Sequence, residues 1–137
     1  MSYLLDTNVI SEIRKPKPDD GVAAWFAETQ SDDLYLSVLV VGEVRQGIER
    51  LRNRRDRRQA NLFERWLTVL KAEFADRVLP VSIAIAERWG FLNARQSLPV
   101  IDGLLAATAL EHDLVFVTRD SRPLAATGAR LLSPWRD

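Results

Sequence analysis

The chain has 137 residues, 47% of them hydrophobic and 28% charged, which suits one compact domain over residues 1–137 and leaves no room for a second. Nineteen basic and nineteen acidic residues cancel, so overall charge gives no support to nucleic-acid binding, and any such contact must come from a local patch. There are no cysteines and one histidine, which excludes disulfides, thiolate nucleophiles and Cys- or His-rich metal sites.

Residues 3–5 read as a short buried strand that stops at Asp6, and from Thr7 a helix runs towards Lys15 before Pro16 and Pro18 end it. Asp19 or Asp20 can cap the next helix, in which Val22, Trp25, Phe26 and Thr29 recur on one face. Leu34-Tyr35-Leu36-Ser37 is a second strand. It leads into a long helical pattern carried by Leu39, Val40, Val44, Ile48 and Leu51. Arg54 to Gln59 interrupts that pattern with charge, and Leu62, Phe63, Trp66, Leu67 and Leu70 form the stripe of a further helix, completing an αα-hairpin.

Val78-Leu79-Pro80-Val81 is a third strand that Pro80 assigns to an edge or a strand end. Ile83, Ile85, Ala86, Trp89 and Leu92 predict a buried helix, and Ile101 to Glu111 a helix rich in alanine and leucine. His112 falls at the end of that helix, where the dipole favours it. Leu114 to Thr118 is a continuous apolar run of the sort found in parallel sheets, and Ala129 to Leu132 adds a last short strand. The alternation predicts a three-layer α/β/α domain with a mainly parallel central sheet. No stretch approaches the length of a membrane span, and the N-terminus lacks a basic segment before a long apolar core, so a soluble cytoplasmic protein is expected.

Four acids interrupt or follow apolar runs: Asp6, Glu43, Asp102 and Asp120. A carboxylate in such a place is expensive to desolvate unless it is paired or binds a metal. Asp6 or Asp102 taken singly reads equally well as an N-cap. Glu43 has no charge partner one helical turn away, since those positions hold Leu39 and Gly47. Together the four acids point to a hard-cation site of oxygen ligands, Mg²⁺ or Mn²⁺, and to metal-assisted hydrolysis. In parallel α/β folds ligands gather at the carboxyl ends of strands, where Asp6 and Asp120 fall.

Leu5-Asp6-Thr7-Asn8, Gly42-Glu43, Ile101-Asp102, Thr118-Arg119-Asp120 and the closing Ser133-Pro134-Trp135, in this order and over this length, resemble a PIN-domain ribonuclease, in particular the VapC-type toxins of bacterial toxin–antitoxin (VapBC) pairs. The resemblance implies a PIN-like fold, a Mg²⁺ or Mn²⁺ site and endonuclease action on RNA. Asp6, Glu43 and Asp102 correspond to the central acids. Asp120 stands where many relatives have Asn and a further acid a few residues on, whereas here Ser121-Arg122-Pro123 follows.

The implied chemistry is in-line attack on a phosphodiester by a metal-activated water, with one ion or two. Thr7, Asn8 and Thr118 would orient the carboxylates or site waters. Arg14 and Lys15, with Lys17 beside them, are candidates for phosphate contact. Arg50, Arg52, Arg54, Arg55, Arg57 and Arg58 read either as a track for an RNA backbone or as a solvated hairpin tip. The resemblance also implies a homodimer and a cognate antitoxin lying in a groove around Val22, Trp25, Phe26 and Leu51, with operator DNA bound only through the antitoxin. Two rival readings remain at this stage: a PIN nuclease of RNA processing without an antitoxin, and a non-catalytic partner in a DNA-binding regulatory complex.

Overall fold

Short apolar runs that bury both faces can only form the middle layer of a sandwich. Leu4, Leu5, Leu36, Phe116 and Val117, all fully buried, make up that layer. The structure, a computed structural model, describes residues 1–136. Its elements in chain order are β1 (Tyr3–Leu5), α1 (Thr7–Ile13), α2 (Asp20–Glu28), β2 (Leu34–Ser37), α3 (Val38–Asn53), α4 (Arg57–Glu73), β3 (Val78–Leu79), α5 (Ile83–Arg95), α6 (Val100–Glu111), β4 (Val115–Val117) and β5 (Leu131–Leu132). Short 3-10 turns occupy Ser31–Asp33 and Arg122–Thr127.

The sheet has five strands in the order β3-β2-β1-β4-β5. Every pairing is parallel, with Tyr3 opposite Leu34 on one side and Val115 on the other. The chain therefore steps outward from β1 through β2 to β3, then crosses back to β4 and β5. Because parallel crossovers are right-handed, this reversal sends α1 to α4 to one face and α5 and α6 to the other. Pro80 follows β3, which is an edge strand, as a missing N–H requires.

Helix starts obey local capping. Asp6, Asp19, Ser37, Asp56 and Ser82 each accept a backbone N–H at the start of α1, α2, α3, α4 and α5 respectively. Three burial expectations are corrected. Ile83 is 82% exposed and Ala86 is also exposed, because α5 packs on α6 and buries only the line of Ile85 and Leu92, with Trp89 beside it. Leu62 is exposed, since α4 turns Ala60, Leu67 and Leu70 inward instead. Thr29 caps the C-terminus of α2 rather than extending its apolar face. Among the described residues no helix is long and apolar enough to cross a membrane.

The α3–α4 hairpin is closed by charge. Arg45 binds Glu64 through two parallel bonds of 2.7 Å, and Arg52 reaches Glu64 at 2.9 Å and Glu49 at 2.5 Å. These bonds hold Glu64 at a pKa of about 2, below its ordinary 4.5. A depressed acid contributes stability above its ordinary pKa and loses that contribution as pH falls through the folded value. The Glu64→Gln variant should therefore melt below the parent at neutral pH, and the gap should close as pH is lowered from 4.5 towards 2; thermal melts across that range test it.

Candidate active site

Where strand order reverses, the helices leaving neighbouring strands diverge to opposite faces and open a crevice. Here that point lies between the ends of β1 and β4. Asp6 extends the β1 ladder by one residue, its N–H donating to the Val117 carbonyl at 2.9 Å. Its side chain then turns into the crevice and is only 9% exposed. Oδ1 accepts the Thr7 N–H at 2.7 Å, and Oδ2 accepts the Thr118 hydroxyl at 2.7 Å. The Asn8 amide donates in turn to Thr118 Oγ1 at 3.5 Å. Asp6 thus caps α1 and faces the crevice at once, so the two readings of this residue are not exclusive.

A cleft of about 510 Å³ opens over Asp6, lined also by Thr7, Asn8, Ser11, Glu12, Lys15, Glu43, Asp102, Arg119 and Trp135. Glu43, on the sixth position of α3, accepts the Thr7 hydroxyl through Oε1 at 2.5 Å. Asp102 lies in the first turn of α6. A smaller recess of about 180 Å³ joins Asp6 and Asp102 to Asp120. Asp120 is half exposed there and paired with Arg122 at 3.1 Å, which holds its carboxyl below the usual range. Asp6, Glu43 and Asp102 therefore share one cleft, while Asp120 borders it from the side with its charge already engaged.

The basic candidates separate. Lys15 lines the acid cleft and donates to Glu12 at 2.9 Å. Arg14 turns away, its guanidinium 4.0 Å from the Phe63 ring centre, and lines a neighbouring cleft with Val44, Ile48, Leu51, Phe63 and Trp66. None of the hairpin arginines lines the acid cleft; Arg52 is bound to Glu49 and Glu64, and Arg55 occupies a turn at φ 63°. Val22 is fully buried and cannot line an exposed groove. Trp25 is half-buried edge-on to Tyr3, with ring centres 5.2 Å apart, and Phe26 is half-buried against the core.

Sequence reasoning passed over Glu12, Arg119 and Trp135 as cleft residues. Glu12 is nearly buried on α1, accepting from Lys15 and from the Asp19 N–H at 2.9 Å, and these bonds lower its pKa. An acid on the inward side of a short helix with a lysine three residues on was the available signal. Arg119 follows the last residue of the β4 apolar run, the same signal that marked Asp120.

The cleft's electrostatics favour a cation. Burial pushes the Asp6 carboxyl up, against the lowering effect of its two hydrogen bonds, and the charges of Asp102 and Glu43 push it further. Burial also raises Asp102. Asp6 has only uncharged donors for partners, so the repulsion is left uncompensated by any contact it makes. The acids ring the cleft without closing into a cage: among the described residues no three acidic or histidine side chains stand close enough to hold an ion as they are. The donors are all carboxylate oxygens, the ligand chemistry of a hard cation such as Mg²⁺ or Mn²⁺.

Residues 3–129 match the PIN domain. The chain belongs to the PIN-domain family. Toxin FitB of Neisseria gonorrhoeae is 34% identical over 139 residues, covering 98% of this chain and 99% of its own. VapC ribonuclease Y4jK of Sinorhizobium fredii is 38% identical over 139 residues, covering 96% of each chain. The crystal structure of FitAcB from Neisseria gonorrhoeae superposes with a TM-score of 0.87 at 34% identity, over 98% of this chain and 99% of that one. The structure of FitAB bound to an IR36 DNA fragment gives 0.84 at 30% identity, over 98% and 96%. In this PIN domain, then, the reversal of the parallel sheet and the acid cleft coincide.

A raised acid destabilises the folded state wherever it is ionised there, and the cost disappears below its ordinary pKa, where folded and unfolded chains both carry the proton. In the presence of chelator, Asp6→Asn should therefore melt a few degrees above the parent at neutral pH, with the gap narrowing as pH falls towards 3.8. Calorimetry at a series of pH values checks this; a lower melting point at neutral pH would contradict the burial argument.

Proposed function

We propose that this PIN-domain protein is a Mg²⁺- or Mn²⁺-dependent endoribonuclease acting as the cytoplasmic toxin of a toxin–antitoxin pair. The observation that carries the reading is the sharing of one cleft by Asp6, Glu43 and Asp102 at the reversal of the sheet. These three carboxylates would hold the cation, with Asp120 at its flank. A bound divalent cation polarises a phosphoryl oxygen and lowers the pKa of water.

The protein's own groups do the rest. Thr118, steadied by Asn8, and the Thr7 N–H hold the two oxygens of Asp6 in fixed directions. The Thr7 hydroxyl occupies Glu43 Oε1, leaving Oε2 to accept a proton from the water that attacks phosphorus in line, while the opposite P–O bond breaks and the leaving ribose oxygen takes a proton from solvent. Lys15 and Arg119, on the rim, offset the charge of the incoming phosphodiester.

The names of the relatives support the toxin reading, one being called a toxin and another a VapC ribonuclease. The neighbouring cleft between α1, α3 and α4 supports an antitoxin partner. Its apolar walls, Val44, Ile48, Leu51, Phe63 and Trp66, run into the acid cleft through the shared Thr7, Ser11 and Glu43. An antitoxin segment lying there could extend a Lys or Arg among the acids and neutralise them. Leu51 remains in this groove, and Phe63 and Trp66 take the place first given to Val22, Trp25 and Phe26. A homodimer, with operator DNA bound through the antitoxin, completes the proposal.

The test is cleavage of single-stranded RNA by the purified chain. Activity should require Mg²⁺ or Mn²⁺, stop with chelator and fall to background in Asp6→Asn. Thr118→Val, which leaves Asp6 Oδ2 without its donor, should lose about 10- to 100-fold. Cleavage that persists in Asp6→Asn, or without divalent cation, rules out the assigned site.

A further inference from the structure

An acid cleft on a chain of zero net charge repels the polyanion it is meant to cut, so long-range attraction cannot supply the affinity. Another contact must. Beside the acid cleft lies a second open groove of about 660 Å³, which carries the Ser121 and Ser133 hydroxyls and the Arg122 guanidinium, the latter paired with Asp120 at 3.1 Å. The two depressions share two lining residues, Arg119 and Trp135. Trp135 thus stands where the two depressions meet, and Arg119 lies over its ring with the guanidinium carbon 5.4 Å from the centre.

The ring is mounted rigidly. The Thr118 N–H donates to the Leu132 carbonyl at 3.0 Å, and the Ser133 hydroxyl donates to the Arg119 carbonyl at 3.0 Å, tying the segment before Trp135 to the end of β4. The residues flanking Trp135 on the other side, Pro134 and Arg136, approach α2. A Cβ at Gly21 would come within 2.3 Å of the Pro134 carbonyl oxygen and 2.8 Å of Arg136 Cγ, so only glycine permits this approach. The Arg136 N–H also reaches Asp19, the α2 cap, at 3.4 Å. The backbone on either side of the half-buried indole is anchored, so stacking of a flat ligand costs little further ordering.

We infer that Trp135 is a stacking platform for a nucleobase of single-stranded RNA next to the cut phosphate, with Arg119 as its cationic flank and the groove beyond as the path of the leaving strand. This rests on the ribonuclease reading above and adds the residue that supplies substrate affinity. Stacking has no need of net positive charge and accepts any base, so the site prefers unpaired RNA over duplex.

The experiment measures steady-state cleavage of a short single-stranded oligoribonucleotide by the full chain, and binding of the same labelled RNA to Asp6→Asn protein by anisotropy. Trp135→Leu keeps apolar packing and removes the aromatic face; Trp135→Phe keeps a smaller face. Gly21→Ala moves the platform without altering any of the cleft carboxylates, and thermal melts verify that each variant folds. Trp135→Leu and Gly21→Ala should raise KM and weaken binding by roughly 10-fold or more with kcat nearly unchanged, and Trp135→Phe should recover most of the loss. Unchanged KM and binding in folded Trp135→Leu, or a loss confined to kcat, overturns the platform and leaves the nuclease reading standing. If the unmutated chain neither binds nor cuts RNA with either cation, the nuclease reading itself fails and the platform with it.

Discussion

The hydrogen bond from Thr118 to Asp6 ties the ends of β1 and β4 together through side chains, where the backbone ladder stops. Both groups are nearly withdrawn from water. A buried carboxylate at this junction is tolerable only because each oxygen has a donor, and the donors leave its outward lone pairs directed at the cleft. Strand pairing, the start of α1 and the acid cleft therefore share one residue. Moving any of the three would disturb the others.

The reversal of strand order gives the cleft two unlike walls. From one face α1 and α3 contribute Thr7, Glu12 and Glu43, with Lys15 just past the end of α1; from the other α6 contributes Asp102 through its first turn. Gly103 follows Asp102 and lies so close to Trp89 of α5 that a Cβ there would meet its ring at 3.0 Å. The seating of α6 on α5, and with it the place of Asp102, thus depends on a missing side chain. Glu43 depends instead on a long amphipathic helix and on the Thr7 hydroxyl, so its freedom to move is greater than that of Asp6.

Charge is distributed with the same economy. The arginines that look most suited to nucleic acid in the sequence are partly used to close the α3–α4 hairpin, and Arg14 is spent on an aromatic stack. At the acid cleft, Lys15 is paired with Glu12 and Arg119 lies over the Trp135 ring. In a chain of zero net charge, these few cations beside the cleft leave its carboxylate centre negative.

Much of the fold was legible in the sequence. Strand positions, the all-but-continuous helical pattern of α3 and α4, and the edge position implied by Pro80 follow from apolar periodicity and proline chemistry, which are local. So does the presence of acids at strand ends and helix starts, which marked Asp6, Glu43 and Asp102. What the sequence could not show was direction. Periodicity says that Ile83 and Leu62 are apolar but not whether a neighbouring element covers them, and α5 and α4 leave both in water. It flagged Val22 as a groove residue and Arg14 as a phosphate ligand, while packing buried the first and stacked the second on Phe63. It noted Ser133-Pro134-Trp135 only as part of the family pattern, because the bonds to the end of β4 and the approach to Gly21 that bring the segment to the cleft are tertiary. The sequence alone thus determined the secondary elements, the parallel α/β class and the identity of the acids, since these depend on neighbours along the chain. Which side chains share the cleft, and which charges are already engaged, was decided by tertiary structure, because it depends on contacts between residues a hundred or more positions apart, such as Asp6 and Thr118.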